Sequence, residues 1–459
     1  MRVSALLADT VPAIIRSHHS VSRRAATWIG LYLALVLAPL VILIIGPMPP
    51  GRGFLWDLSM GLGFAAMAMF GVQFALTARF KRVSAPFGID IVYLFHRYLA
   101  LIAVGLALAH FAILWLFHEE ALGELDPRTA RWELTAARVA LVMFVLAVVT
   151  SEFRNRLRID YDWWRISHIA FATIGFGAAI AHIVGVGYYT EAPGKRALWL
   201  LATVTWLLVL VWVRIARPWM LAARPYRVAE IRPEAGNTWT LALEPAGHSG
   251  LRRFMPGQFA WLTLRRSPFF ASEHPFSIAS PPEMLPRVEL GIKALGDFTR
   301  SIGTLRPGET AYLDGPYGVF SFERHNQAPG FVGIVGGIGI TPLISMLRSL
   351  AARGDRRPLW LFYANRNLQE AVYREEIDRL AEHLNLTLIH VLEEAPEGWM
   401  GETGFIRKDV LDRHLPQVQR ASLHYFLCGP PPMMNAAEAA LHEFGIPPHR
   451  IHTEVFALV

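Results

Sequence analysis

The sequence has little with which to cross-link itself. One cysteine, Cys428, in 459 residues excludes a disulfide framework and any cluster built on several thiolates. Charge is scarce too: 18 % of residues are Asp, Glu, Lys or Arg, against about a quarter in an ordinary soluble chain. Missing as well are a Gly/Ser linker, an internal repeat, a low-complexity tract and a calcium-binding loop of EF-hand type. Residues 1–27 lack an apolar core followed by a small-residue cleavage site, so no cleavable signal peptide is expected.

Apolar residues make up 53 % of the chain and are unevenly spread. Six runs reach membrane length: Trp28–Ile45, Trp56–Ala78, Ile91–Phe117, Leu134–Thr150, Trp163–Tyr188 and Leu198–Ile215. Residues 221–459 read as soluble protein. The connections on one side of the six spans carry fourteen Lys and Arg (Arg2, Arg16, Arg23, Arg24, Arg79, Lys81, Arg82, Arg154, Arg156, Arg158, Arg214, Arg217, Arg224, Arg227). Those on the other carry five (Arg52, Arg128, Arg131, Lys195, Arg196). The positive-inside rule therefore places both termini in the cytoplasm. The net charge of +7 is then an orientation signal, with some attraction to the lipid bilayer, and nucleic acid is not an expected partner.

Two of the greasy spans carry a pair of histidines each. His96 and His110 bound HRYLALIAVGLALAH, and His168 and His182 bound HIAFATIGFGAAIAH, both with fourteen-residue spacing. Fourteen residues fall only about 40° short of four helical turns and rise roughly 21 Å, which puts both rings on one face near opposite edges of the hydrocarbon. Because the two spans are parallel, His96 lies level with His168 and His110 with His182. Facing imidazoles at one depth suit axial ligation of a haem iron, and two such pairs suit two stacked b-type haems. Small residues on the same faces (Ala100, Ala103, Ala107; Ala172, Gly175, Ala179) leave room for flat macrocycles. The plainer reading is that each histidine only hydrogen-bonds a neighbouring helix and the small residues mark helix contact. Matched spacing, depth and small-residue offsets in two spans favour the haem reading. His18, His19 and His118 are expected in solvent. Arg97 and Arg165 serve either haem propionates or membrane anchoring.

The soluble half starts with short alternating runs, YRVAEIR, TWTLALE, QFAWLTL and RVELGIK, expected as strands of a small antiparallel barrel. HPFSIAS (His274–Ser280) adds a proline, an aromatic and two hydroxyls, and GIKALGDFT sets Lys293 and Thr299 around glycines that suit a pyrophosphate. Each has the alternative of an edge strand with a turn. Next, FVGIVGGIGITPLISML reads as a buried strand, a glycine turn at Gly336, Gly337 and Gly339, and a helix with Thr341 as N-cap and Pro342 at its first position. Such a turn admits a dinucleotide to the backbone. The next strand, LWLFYANRN, lacks an acid at its tip and carries Arg366, which favours a 2′-phosphate unless it is simply a loop charge. FLCGPPPMM ends a further strand in a rigid Cys428-Gly429-Pro430 turn, with a plain buried thiol as the alternative for Cys428.

In this order the motifs resemble the NADPH oxidase and ferric reductase family, over almost the whole chain. Paired histidines on spans three and five, His-Pro-Phe-Ser at His274–Ser277, DGPYG at Asp314–Gly318, Gly-Gly-x-Gly-x-Thr-Pro at Gly336–Pro342 and Cys-Gly-Pro at Cys428–Pro430 carry the likeness. The resemblance implies a fold of three parts. Residues 1–220 would be a six-span haem-binding bundle, 221–327 an FAD-binding β-barrel and 328–459 an NAD(P)H-binding α/β domain with a parallel sheet. It implies that His274, Pro275, Phe276, Ser277 and Ser280 hold FAD, that Lys293 and Thr299 lie near its phosphates, and that Cys428, Gly429 and Pro430 position the nicotinamide. NADPH is the expected donor, with NADH possible, and Phe456 in TEVFALV is the candidate aromatic lid over the flavin. Electrons would pass from FAD through two b-type haems, at His96/His168 and then His110/His182, to an external acceptor. The protein would sit in a bacterial-type inner or plasma membrane with its dehydrogenase domains cytoplasmic. Dioxygen, giving superoxide, is the preferred acceptor because no His, Met or Cys cluster is expected outside to hold a metal. Alternatives are a ferric or cupric chelate, drawn by the loop acids Glu119, Glu120, Glu124, Asp126 and Glu133, and a quinone or periplasmic partner protein.

Overall fold

The computed structural model describes residues 23–45, 49–79, 89–270 and 272–455. Phe456, Arg2, Arg16, His18, His19, Lys81 and Arg82 lie outside those residues. The chain divides into two compact units, one built from Arg23–Trp219 with Phe269–Ser272, the other mainly from Met220–Pro268 and Glu273–Val459.

The first unit contains six helices long and apolar enough to cross a membrane. They are α1 (Arg23–Ile44), α2 (Phe54–Thr77), α3 (Ile89–Phe117), α4 (Trp132–Glu152), α5 (Tyr161–Val186) and α6 (Pro193–Val211). Helical runs are what such sequences must form, because hydrocarbon supplies no partner for a free N–H or C=O. The last span does not stop at Ile215 as expected; a π-helical turn at Trp212–Ala216 carries it on to Ala222. Small residues let the helices approach. A Cβ on Gly71 would lie 2.3 Å from the Trp206 indole, and one on Gly185 would lie 2.6 Å from Trp132. The space expected beside Gly175 is likewise taken: its missing Cβ would stand 3.1 Å from Phe144 and Met143 of α4. Phe144 in turn stacks on Phe70 of α2 with ring centroids 3.7 Å apart. Phe176, eight residues after His168 and six before His182, is fully buried and meets Phe74 and Trp206 edge-on. An aromatic layer therefore fills the bundle midway along α5, between its two histidines.

In the second unit, β1 (Tyr226–Glu234), β2 (Thr238–Pro245), β3 (Phe259–Leu264), β4 (His274–Ser277), β5 (Val288–Lys293) and β6 (Thr310–Tyr317) form an antiparallel sheet of order β4-β3-β6-β1-β2-β5. The edges of this sheet are β4 and β5. Its two edges are linked by a single bridge, Ile278 to Leu290. A parallel sheet follows, built from β7 (Phe331–Gly336), β8 (Leu359–Asn365), β9 (Leu386–Leu392), β10 (Glu402–Thr403), β11 (His424–Cys428) and β12 (Ile451–Glu454) in the order β10-β9-β8-β7-β11-β12. Strand β7 shows why this sheet is covered on both faces. Phe331 and Val335 enter one core with α7 (Ile340–Ala352) and α8 (Arg374–His383), while Val332 and Ile334 enter another with α9 (Lys408–His414) and α10 (Pro431–Glu443).

The two sheets are joined by a buried charge cluster that no motif announces. The Arg348 guanidinium of α7 forks onto Glu376 of α8 at 2.6 and 2.7 Å. It also reaches Glu289 of β5 at 3.1 Å and the carbonyl of Ala279 at 2.9 Å. Ser345 donates to the Ser280 carbonyl, and Thr240 meets the Tyr373 hydroxyl at 2.9 Å. Truncating one partner of such a cluster leaves the others charged and unpaired. Arg348→Ala is expected to cost about 3–5 kcal/mol, read as a lower denaturation midpoint followed by tryptophan fluorescence. A change below about 1 kcal/mol would show that the cluster is not needed to hold the sheets together.

Candidate functional site

The bundle histidines form two layers. At one, the rings of His96 and His168 have centroids 6.2 Å apart and planes inclined by 75°. Two imidazoles on opposite sides of one metal, each with a bond of about 2 Å, require centroids about 6 Å apart, so this pair fits axial ligation. The hydrogen bonds supply a second test. His96 Nδ1 lies 2.7 Å from Gln73 Oε1. His110 Nδ1 lies 2.8 Å from the Ser59 carbonyl, and His182 Nδ1 lies 3.0 Å from the Glu133 carbonyl. An oxygen of this kind only accepts, so Nδ1 carries the proton in all three. For the fourth, Ser151 Oγ donates to the Ala147 carbonyl at 2.6 Å and therefore accepts from His168 Nδ1 at 3.1 Å. With Nδ1 protonated on every ring, the lone pair of Nε2 is the one left for a metal. Gly63 gives His110 its space, since a Cβ there would lie 3.3 Å from the ring.

Sequence reasoning found the four histidines and missed Gln73, Ser59, Ser151 and Glu133, which orient them. Ser59 and Gln73 are also fourteen residues apart, and Glu133 and Ser151 eighteen, which is five full turns. That periodicity was available. Other expectations change in the bundle. Arg97 is held by Glu152 in a two-pronged pair at 2.8 and 2.6 Å, which explains it without a propionate. Glu133 is no loop acid: it is buried at the start of α4 and pairs with Arg131. His118 is half-buried edge-on against Trp56 at 5.2 Å, not free in solvent. Beside it, Arg52 lies over Trp56 at 4.6 Å and over Tyr188 at 4.9 Å.

In the second unit the HPFS stretch is β4, paired with β3 from Phe259 to Leu262. His274 stacks on Phe298 at 4.0 Å, and Phe276 lies parallel to the same ring at 6.0 Å. Ser277 Oγ is buried and meets no hydrogen-bond partner among the described residues, which suits a hydroxyl waiting for a ligand. Pro275 sits opposite Trp261 in the ladder. Three expected contacts are already spent. Ser280 is fully buried and its hydroxyl accepts from the Glu289 N–H at 3.0 Å, so it secures strand pairing rather than facing a ligand. Thr299 Oγ1 accepts from the N–H groups of Leu295 and Gly296 at 2.9 and 2.8 Å, shaping the glycine loop. Lys293 stands 3.7 Å from Glu370.

The parallel sheet reverses its strand order between β7 and β11, and ligands of open α/β sheets bind at the carboxyl ends of strands at such a switch point. Those ends are Gly336 and Cys428. The close approach is enforced by glycine: a Cβ on Gly339 would lie 2.2 Å from the Cys428 carbonyl oxygen, and one on Gly336 would lie 2.8 Å from Pro430. Gly337 is in the left-handed region, φ +53°, with nothing within 4 Å of where a Cβ would be, an opening suited to a phosphate. Thr341 is not the N-cap. The 3₁₀ turn Gly337–Gly339 runs directly into α7, so Gly339 caps it, Pro342 is its third residue and Thr341 Oγ1 donates to the Ile338 carbonyl at 2.8 Å. Cys428 is completely buried, and burial together with the Glu454 charge pushes its thiol well above the ordinary range. A thiol held this way favours its neutral form, which fits a packing role in the turn. Gly429 follows it against Gly336, where a Cβ would lie 2.8 Å from the Gly336 nitrogen.

Asn365, at the carboxyl end of β8, was missed: it is buried, and among the described residues the Tyr363 hydroxyl is the one group that stands near enough to answer its side-chain amide. A lone asparagine in a strand gives no periodic signal. Arg366 beside it is exposed and pairs with Glu394 at 2.9 and 2.8 Å, so an acid does stand near this strand tip, supplied by the loop after β9.

The comparisons agree with this division. Residues 62–179, which include His96, His110 and His168, match the family described as ferric reductase like transmembrane component. Residues 334–439 match the oxidoreductase NAD-binding domain. The chain is similar to NADH-cytochrome b5 reductase 1 of Cryptococcus neoformans, 34 % identical over 34 % of this chain and 55 % of the relative. It is also similar to the enzyme of that name from Candida albicans, 33 % identical over 36 % and 58 %. It thus spans little more than half the length of these relatives. Among solved structures, the ferredoxin reductase in carbazole 1,9a-dioxygenase is 25 % identical with a TM-score of 0.44, over 51 % of this chain and 69 % of that one. The two matched regions, a ferric reductase like transmembrane component and an oxidoreductase NAD-binding domain, follow one another in that order along the chain. A ferric-reductase-like transmembrane component joined to a reductase-type NAD-binding domain matches a fusion of the ferric reductase and NADPH oxidase type.

Asn365→Leu is expected to raise the KM for nicotinamide about tenfold, the worth of one good hydrogen bond, in steady-state flavin reduction. An unchanged KM would place the Asn365 amide outside the nicotinamide site. Glu394→Gln releases Arg366 and is expected to raise the NADPH to NADH preference several-fold in kcat/KM; equal values would remove Arg366 from 2′-phosphate recognition.

Proposed function

We propose that the chain carries electrons from NAD(P)H across the membrane to an external acceptor, with dioxygen as that acceptor. The observation that supports it best is the set of four bundle histidines, each with Nδ1–H satisfied by the protein and Nε2 left for a metal, in two layers fourteen residues apart on α3 and on α5. Bound FAD would supply hydride acceptance and two b-type haems the passage of single electrons, so one NAD(P)H would reduce two dioxygen molecules to superoxide and release one proton.

The residues then have distinct tasks. His96 and His168 would hold one iron and His110 and His182 the other, while Gln73, Ser151 and the carbonyls of Ser59 and Glu133 would keep each ring turned toward its metal. Phe276, Ser277 and the His274–Phe298 stack form the flavin cradle, and Lys293 and the loop shaped by Thr299 lie on its phosphate side. Gly337 and the start of α7 take the dinucleotide phosphates, and Gly429, Pro430 and Asn365 border the nicotinamide. Cys428 shapes that border by its backbone. Phe456 remains the lid assigned by resemblance. The flavin sheet wraps as a barrel in this reading, with the three domains divided near 220 and 327 and the reductase domains and both termini cytoplasmic. Dioxygen is preferred over a metal chelate because no His, Met or Cys cluster is expected in the outer loops to hold a metal.

Haem content tests the scheme directly. Two haems per chain are expected in the native protein by the pyridine haemochrome method, and one in each of His168→Ala and His182→Ala. The first variant should lose haem reduction by NAD(P)H altogether. The second should keep reduction of one haem and lose superoxide, measured as dismutase-sensitive cytochrome c reduction. Two haems retained in either variant would overturn the ligand assignment. Native protein with reduced haem and no superoxide would move the acceptor to a ferric chelate or a partner.

A further inference from the structure

We propose that His325, His424 and His452 form a binding site for one divalent transition-metal ion of the zinc type, separate from the haem ligands. Among the described residues these three make the one group whose ligating atoms all lie within 4.8 Å of one another. Strand pairing creates it. His452 on β12 is opposite Phe426 of β11, and His424 is two residues before Phe426, so all three side chains share one face of the sheet. His325 closes the group from the turn Phe322–His325 that leads from the antiparallel sheet into β7. Its ring centroid is 4.4 Å from that of His424 and 4.2 Å from that of His452.

The chemistry suits a metal that seeks nitrogen. His424 Nδ1 and His452 Nε2 are 2.9 Å apart. Two nitrogens bound tetrahedrally to one zinc at about 2.0–2.1 Å stand about 3.3 Å apart, so an opening of a few tenths of an ångström replaces the shared proton by the ion. Burial and the neighbouring cations hold all three rings well toward the neutral form, with His424 pulled down to about 4, so their lone pairs are available at neutral pH. No carboxylate belongs to the group, and Arg324 and Arg450 stand nearby. A hard cation such as calcium or magnesium, which needs oxygen and charge, is therefore excluded, whereas zinc, copper or nickel bind imidazole without either. Three rings leave a fourth position for water.

The site lies at the amino end of β11, four residues or about 13 Å from Cys428, and so at the opposite edge of the sheet from the nicotinamide border. A metal there joins the turn between the two sheets to the last strand. It acts as a clamp on the reductase unit and has no part in electron transfer.

The test is equilibrium dialysis of the full-length, tag-free protein in detergent against zinc chloride, with bound zinc counted by elemental analysis. Native protein is expected to hold one more zinc per chain than the variant carrying both His424→Gln and His452→Gln, and to melt at higher temperature with zinc than without. His325→Gln, on a turn rather than in the sheet, is expected to weaken zinc at least tenfold and keeps the test usable should the strand variant fail to fold. Nicotinamide-dependent flavin reduction serves as the folding control for both. Equal zinc in native and variant proteins, or none in the native protein, would overturn the proposal and leave the three rings as a stacked, hydrogen-bonded packing element.

Discussion

A histidine cannot sit in hydrocarbon with its ring N–H unanswered, and this requirement organises the membrane unit. Each histidine-bearing helix is locked to a neighbour that supplies the acceptors. Helix α3 sets His96 and His110 against Gln73 and Ser59 of α2, and α5 sets His168 and His182 against Ser151 and Glu133 of α4. The bonds lie at both ends of each helix pair, so a slide of one residue would break two at once. Register in a lipid environment, where apolar faces attract lipid as well as each other, is thereby fixed by four polar contacts and by the glycines that admit Trp206, Trp132 and Phe144.

The reductase unit depends on a different constraint, the reversal of strand order between β7 and β11. It brings two sequence segments almost a hundred residues apart, Gly336–Gly339 and Cys428–Pro430, into contact so tight that only glycine fits at Gly339. At the opposite edge of the sheet, the pairing of β12 with β11 gathers His424 and His452. The glycine contact and the imidazole group thus lie at opposite ends of β11.

What was legible in the sequence was whatever repeats or is punctuated. Membrane spans announce themselves by length, the bundle histidines by two equal spacings, and β7 with its glycine turn by a buried run ending in small residues. Contacts that depend on a side chain from a distant element left no such trace. Arg348 reads as an ordinary helix cation, yet it joins the sheets through Glu376 and Glu289. Asn365 reads as part of a strand, and Glu394, which answers Arg366, comes from the loop after the next one. The cap of α7 was misread for a local reason. Thr341-Pro342 is a strong helix-start pattern, and here the preceding glycines already wind as a 3₁₀ turn, moving the start back.

The two histidine layers share a logic and differ in one respect that bears on their properties. At His182 the proton on Nδ1 is taken by the main-chain carbonyl of Glu133, and at His110 by that of Ser59, with the Ser59 hydroxyl also at 2.9 Å. At His96 it is taken by the Gln73 side chain, and at His168 by Ser151 with the Ala147 carbonyl beside it. A main-chain acceptor is fixed by the helix and does not change with the residue that bears it. A side-chain acceptor changes with one substitution, and with it the basicity of the ring and the potential of any metal it holds. His96 is therefore the ring whose acceptor one substitution would change most directly. His182 is the ring whose acceptor is supplied by the backbone.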